Sequence, residues 1–339
     1  MITTASTRSG YSPQLGEASG YDLIGDVHGC GQTLERLLQL LGYQKISGVY
    51  RHRERQAIFL GDVIDRGPRI REALHIVRDM VEQRSALMVL GNHEFNAITY
   101  CTPSPCTGPN TGEYLRPHTP AHARQINETL VQFAHHAQEW QEFLRWFVEL
   151  PLFLEIQHPR TQQIFRAVHA CWDQQLIDQH RATYGDGHID WQFIKGSIQK
   201  GSLESRTKQR LTGGVDLILP EGQTMVSSDG YVRRAFRTKF WGHSARTYGQ
   251  LLFQPDPIPE HVALAEISAE DRAQMVYYDE FQPPLFIGHY WLKGHPRPLA
   301  PNLACLDYSA VKYGRLVAYR MDGEAQLQPD KFVWVYVDP

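Results

Sequence analysis

Residues 22–31 read DLIGDVHGCG. The segment Tyr21–Ile24 has the length and apolar content of a short strand, and it stops abruptly at Asp26 and His28, set between Gly25 and Gly29. A carboxylate and an imidazole two positions apart at a strand end suit a divalent metal. Two ligands do not complete a hydrolytic centre, so this reading demands further ligands from distant strands.

The same grammar recurs. Leu34, Leu37, Leu38 and Leu41 repeat at helical spacing after the first loop, and Gly42 supplies a stop. AIFLGDVIDRGP (57–68) gives a strand over Ala57–Leu60, a loop over Gly61–Pro68, and then a helix from about Ile70 to Arg84. ALMVLGNHEFN (86–96) gives a third strand and loop. Farther on, IFRAV (164–168) runs into His169 and PLFIG (284–288) into His289. Strands alternating with helices predict an α/β fold. Polar residues gathered at the carboxyl ends of strands occupy the crevice where such sheets hold ligands.

With 339 residues, the chain is long enough for one elaborated domain or two. Its net charge of −3 argues against a generally basic nucleic-acid surface. Five scattered cysteines make no disulfide framework, so a reducing cytoplasm is the expected compartment. No run approaches the ~18 apolar residues of a membrane span. Residues 1–20 are rich in Ser, Thr and Gly, lack an apolar signal-peptide core, and read as disordered.

Residues 21–339 then form a single domain with irregular inserts. Prolines at 103, 105, 109, 117 and 120 mark a surface loop, and Trp140, Phe143, Leu144 and Phe147 make the apolar face of a later helix. His118, His122, His135 and His136 lack acidic partners and read as loop or helix-surface residues. Residues 172–284 read as an insertion capping the site. LACLDYS (303–309), GRLVAYRM (314–321) and FVWVYV (332–337) read as strands closing a second sheet.

Collected in order, Asp26, His28, Asp62, Asn92, His169 and His289 form an oxygen and nitrogen set without sulfur. Six ligands exceed one mononuclear site. Two metals about 3.5–4 Å apart, sharing a carboxylate, are the natural count, with Asp62 from the middle strand as the bridge. Each residue alone would start a turn or cap a helix more often than bind metal; jointly they point to chemistry.

At these residues the chain resembles the calcineurin-like metallophosphoesterases, on GDVHG, GDVIDRG and GNHE, and within them the phosphoprotein-phosphatase branch. DRGP and HACWD (169–173) resemble bacterial Prp-type protein phosphatases and symmetrical diadenosine-tetraphosphatases. The resemblance implies a two-sheet β-sandwich flanked by α-helices. It assigns Asp26, His28 and Asp62 to a first metal and Asp62, Asn92, His169 and His289 to a second, with Mn2+ expected and Fe, Zn or Ni as alternatives. It makes His93 the general acid, Asp65 its orienting partner and Arg66 a phosphate grip, with Arg237, from the cluster Arg233, Arg234 and Arg237, as a second phosphate contact. It also implies in-line attack by a metal-bridging hydroxide on a phosphomonoester, foremost phosphoserine or phosphothreonine in a protein or peptide.

Dinucleotide polyphosphates are the alternative substrates. GHYW (288–291) places Trp291 where nuclease and cyclic phosphodiesterase members carry a second histidine, which disfavours those activities, and the full ligand set disfavours a non-catalytic module. His243 in GHS (242–244) rivals His289 but lacks a clear preceding strand. Cys30 and Cys171, each two residues beyond a ligand, raise the hypothesis of a redox role.

Overall fold

The computed structural model describes residues 18–104, 113–226, 232–241, 244–253 and 258–337. Most of the segment expected to be disordered, and His243, lie outside the described residues.

Among the described residues, ten strands build two main sheets. They are β1 (Gly20–Ile24), β2 (Arg55–Phe59), β3 (Ala86–Met88), β4 (Phe153–Gln157), β5 (Ile164–Val168), β6 (Leu285–Ile287), β7 (Leu303–Cys305), β8 (Asp307–Tyr308), β9 (Arg315–Met321) and β10 (Phe332–Tyr336). The first sheet runs β8-β9-β1-β2-β3, with β10 also on β9. The second runs β7-β6-β5-β4. β1, β2 and β3 are parallel, and Ile24 pairs Phe59, which pairs Met88. Because the three ends are level, the loops carrying Asp26, Asp62 and Asn92 emerge side by side.

The sheets face each other across a buried layer, Tyr21, Leu23, Ile58, Leu60 and Leu87 from the first meeting Leu154, Ile156, Phe165, Ala167 and Phe286 from the second. Alternate residues such as Ile24 and Phe59 turn the other way, into the helix layer. There α1 (Gly31–Leu41) buries Leu34, Leu37, Leu38 and Leu41 and ends at Gly42 in the left-handed conformation, φ 94°. Each such leucine contributes about 1.5–3 kcal/mol by leaving water. Beside it, α2 (Ile70–Glu82) buries Ile70, Ala73, Leu74, Val77 and Met80. The next helices are α3 (Asn92–Cys101), α4 (Pro120–Gln132) and α5 (Ala137–Glu149), the last burying the expected Trp140, Phe143, Leu144 and Phe147.

The closing strands differ from the expectation. Only β7 joins the second sheet; β8, β9 and β10 complete the first. The chain changes sheets at Leu306, and β9 returns antiparallel along the edge of β1 that the parallel strands leave open. The described part of residues 172–284 contains α6 (Gln174–Tyr184), α7 (Trp191–Gly196), α8 (Leu203–Gly213), short helices and two two-stranded ribbons, one pairing Asp216–Ile218 with Ala235–Arg237. No helix among the described residues is long and apolar enough to cross a membrane.

Candidate metal centre

The strand-end loops turn sharply to bring their polar side chains inward. His28, Asp62, Asp65, Arg66 and His289 all have left-handed backbones, with φ between 43° and 70°. Such non-glycine conformations cost of order 1–3 kcal/mol and persist where packing over-determines them. Gly91 lets two loops touch, because a Cβ there would lie 2.3 Å from the Asp62 nitrogen and from its Oδ1.

Asp62 stands at the middle. Its Oδ2 is 3.2 Å from His169 Nε2 and 3.8 Å from both His28 Nε2 and His93 Nε2. Two donor clusters therefore meet on this one carboxylate: His28, Asp62 and His93 on one side, Asp62, His169 and His289 on the other. Asn92 Oδ1 lies 3.0 Å from His169 Nε2, and Asp26 accepts the His289 N–H at 3.2 Å. Asn92 thus joins the second cluster, whereas Asp26 lies outside both and meets the centre through the His289 backbone.

The donor set fits divalent cations. His28 Nδ1–H donates to Ile64 O at 2.9 Å and His169 Nδ1–H to Leu60 O at 2.6 Å, which turns each Nε2 toward Asp62. Histidine ligands are held in this way, the second ring nitrogen fixing the first. His289 is reversed, donating from Nε2 to Gly213 O at 3.0 Å and leaving Nδ1 for the centre. The electrostatics call for positive charge. Burial opposes a proton on His169, yet the Asp62 and Asp26 carboxylates push it up to about 10. Burial and the neighbouring Asp307 carboxylate push Asp26 well above the usual carboxylate range. Burial, Arg66 and His93 push His28 well below the usual imidazole range.

His93, a member of the first cluster, has further partners. Its Nδ1–H donates to Asp65 Oδ2 at 2.6 Å, while Arg66 donates to His93 Nε2 at 3.3 Å and to His28 Nε2 at 3.1 Å. Trp291 backs the guanidinium, 5.4 Å from its ring centre. Of the arginine cluster, Arg237 reaches the centre, donating to His289 O at 3.2 Å, whereas Arg233 sits on an exposed ribbon strand.

Two acidic residues of this centre were not singled out in the sequence. Glu94 accepts the N–H groups of Asp62, Val63, Ile64 and Gly91, so it clamps the second loop to the third. Burial and Asp62 push it up to about 7. It stands in GNHE, where its neighbours draw the attention. Asp307 is buried, its Oδ1 accepts from Ser309 N–H at 2.9 Å, and its Oδ2 meets no partner among the described residues. Its only signal was a carboxylate inside the apolar LACLDYS. Burial raises the Cys30 thiol to about 11 and Cys171 to about 12, so neither offers a thiolate near neutrality, and the redox hypothesis finds no support.

A family description, the calcineurin-like phosphoesterases, matches residues 21–219, more than half of the chain. The chain belongs to the calcineurin-like phosphoesterases. This family uses divalent metals, for which the donor clusters around Asp62 are candidates. Curated relatives match over the first motifs. The asymmetrical bis(5′-nucleosyl)-tetraphosphatase PrpE of Oceanobacillus iheyensis is 47% identical over 73 residues, 21% of this chain and 29% of the relative. Its Bacillus subtilis counterpart is 42% identical over 74 residues, 22% and 30% respectively. The match thus spans less than a third of these relatives' length. Among solved structures, this calcineurin-like phosphoesterase is similar to a serine/threonine phosphatase of Saccharomyces cerevisiae (TM-score 0.46, 11% identity, covering 95% of this chain and 80% of the other). It is also similar to a cold-active protein-tyrosine phosphatase of Shewanella (TM-score 0.45, 14% identity, 96% and 83%).

Proposed function

We propose that Asp26, His28 and Asp62 hold one divalent cation and Asp62, Asn92, His169 and His289 a second, Mn2+ foremost, in a phosphomonoesterase. The meeting of two donor clusters on Asp62 supports a pair of cations, although the first cluster holds His93 and Asp26 reaches the centre only through the His289 N–H. When bound, such a pair draws electron density from phosphoryl oxygens and generates a nucleophile from water near neutral pH. The chain's own groups do the rest. Arg66 lies against the first cluster and grips a non-bridging oxygen, for which a planar fork of donors is suited, and Arg237 does the same from the side of His289. His93 presents Nε2 to the leaving oxygen and delivers a proton there, while Asp65 holds Nδ1 and supports the imidazolium.

The substrate of first choice is phosphoserine or phosphothreonine in a protein or peptide, with residues 172–284 capping the site and shaping access. Four free cysteines among the described residues, three of them buried, support a cytoplasmic setting. A second reading, hydrolysis of dinucleotide polyphosphates, is favoured by the local identity to the PrpE hydrolases. Mn2+-loaded protein assayed on a phosphothreonine peptide and on diadenosine tetraphosphate separates the two. Turnover of the peptide supports the first; turnover of the dinucleotide alone overturns it. Activity that survives complete chelation sinks the two-cation mechanism.

A further inference from the structure

His93 owes its orientation to Asp65, and Asp65 is itself held. Thr129, in the last turn of α4 and fully buried, donates from Oγ1 to Asp65 Oδ1 at 2.5 Å and accepts the Asp65 N–H at 3.1 Å. The remaining Asp65 oxygen takes the His93 Nδ1–H. Both carboxylate oxygens thus have partners, in a residue whose φ of 68° would otherwise relax. One turn earlier on the same helix face, Gln125 places its amide nitrogen 3.3 Å from His93 Nδ1, with its carbonyl turned away to accept from Arg116. Near the end of the helix, Gln132 caps the α2 start by accepting from Ile70 N–H at 2.7 Å and donates to Gly67 O at 3.1 Å. Helix α4 therefore grips both ends of the Asp65–Gly67 turn, although it carries none of the recognisable motifs.

We propose that Thr129 is the positioning residue of the acid: its hydroxyl fixes the Asp65 carboxylate so that His93 keeps its proton on Nδ1 and presents Nε2 to the leaving group. This rests on His93 acting as the acid in the reading above. A hydroxyl bonded to both the carboxylate and the N–H of one residue locks its side-chain torsion and its backbone together, which packing alone does not do.

The test compares Thr129→Val, which keeps the shape and loses the hydroxyl, with Thr129→Ser, which keeps the hydroxyl. In the chelated proteins, the low-field proton resonance of His93 Nδ1–H is expected in the wild type and in the serine variant and lost in the valine variant. In the Mn2+-loaded proteins, the valine variant should lose roughly 10- to 100-fold in kcat on an alkyl phosphate, at nearly constant KM. It should lose under threefold on 2,4-dinitrophenyl phosphate, which needs no acid, and serine should restore the alkyl activity. An unchanged Nδ1–H resonance in the valine variant overturns the proposal, as does an equal loss on both substrates that serine fails to rescue. A wild type without turnover refutes the hydrolase reading but leaves the resonance comparison to decide the role of Thr129.

Discussion

At the scale of single residues, Asp62 and His93 sit 3.8 Å apart and divide the work, so their removal should fail differently. Asp62→Asn removes one of the two carboxylates proposed for the first cation and the one proposed for the second, and should release metal and activity together, as metal analysis of the purified variant would register. His93→Asn leaves the cluster of Asp62, His169 and His289 whole. It should keep that metal and lose about 10²–10⁴-fold in kcat on an alkyl phosphate, with a much smaller loss on a dinitrophenyl ester. A His93→Asn protein emptied of both metals would instead make His93 a ligand, a role its Nε2 position beside His28 and Asp62 would also serve. The candidate ligands and the candidate acid are legible in the sequence because each follows a strand within a recognisable loop. Thr129 was not. Its hydroxyl lies on a helix face, and only the folding of α4 onto a loop 64 positions earlier gives it a purpose.

Between elements, the centre depends on where strands end. Gly25 closes β1 beneath the point at which the chain passes from one sheet to the other, and a Cβ on it would lie 2.1 Å from Leu306 O. That obstacle is backbone, which cannot rotate away. Gly25→Ala should therefore displace either Asp26 or the β7–β8 crossing that bears Asp307, costing about 1–3 kcal/mol or more by overpacking. Thermal unfolding of the chelated variant checks the stability term, and weakened metal binding is expected with it. A variant with native stability and metal content would mean that the two sheets are not coupled through this contact. The same crossing explains the misplaced closing strands. LACLDYS, GRLVAYRM and FVWVYV all show strand character, yet alternation says only which face is buried, not which of two sheets supplies the neighbour. That choice is made by the open edge of β1, a feature of assembled strands rather than of any segment.

For the whole molecule, the candidate cation sites are linked to protons and hence to folding. In the metal-free protein, His169 has its pKa raised to about 10, against about 6.5 for an ordinary imidazole. A group raised in this way adds stability that is fully present below pH 6.5 and is lost as the pH climbs through about 10. Asp26, also raised, acts in the same direction. The chelated protein should accordingly lose stability between about pH 6.5 and 10, by no more than about 1.4 kcal/mol per pH unit for one proton. Bound cations replace that proton on neutral imidazole, so the loaded protein should show little of this slope. Denaturant unfolding across the range, with and without chelator, measures both limbs. Calorimetric metal titration at pH 7.5 in buffers of different ionisation enthalpy should report net proton release, to which His169 contributes. Parallel pH profiles for the two forms, with no proton released, would place His169 outside the cation sites and leave Asp62 without its expected partner.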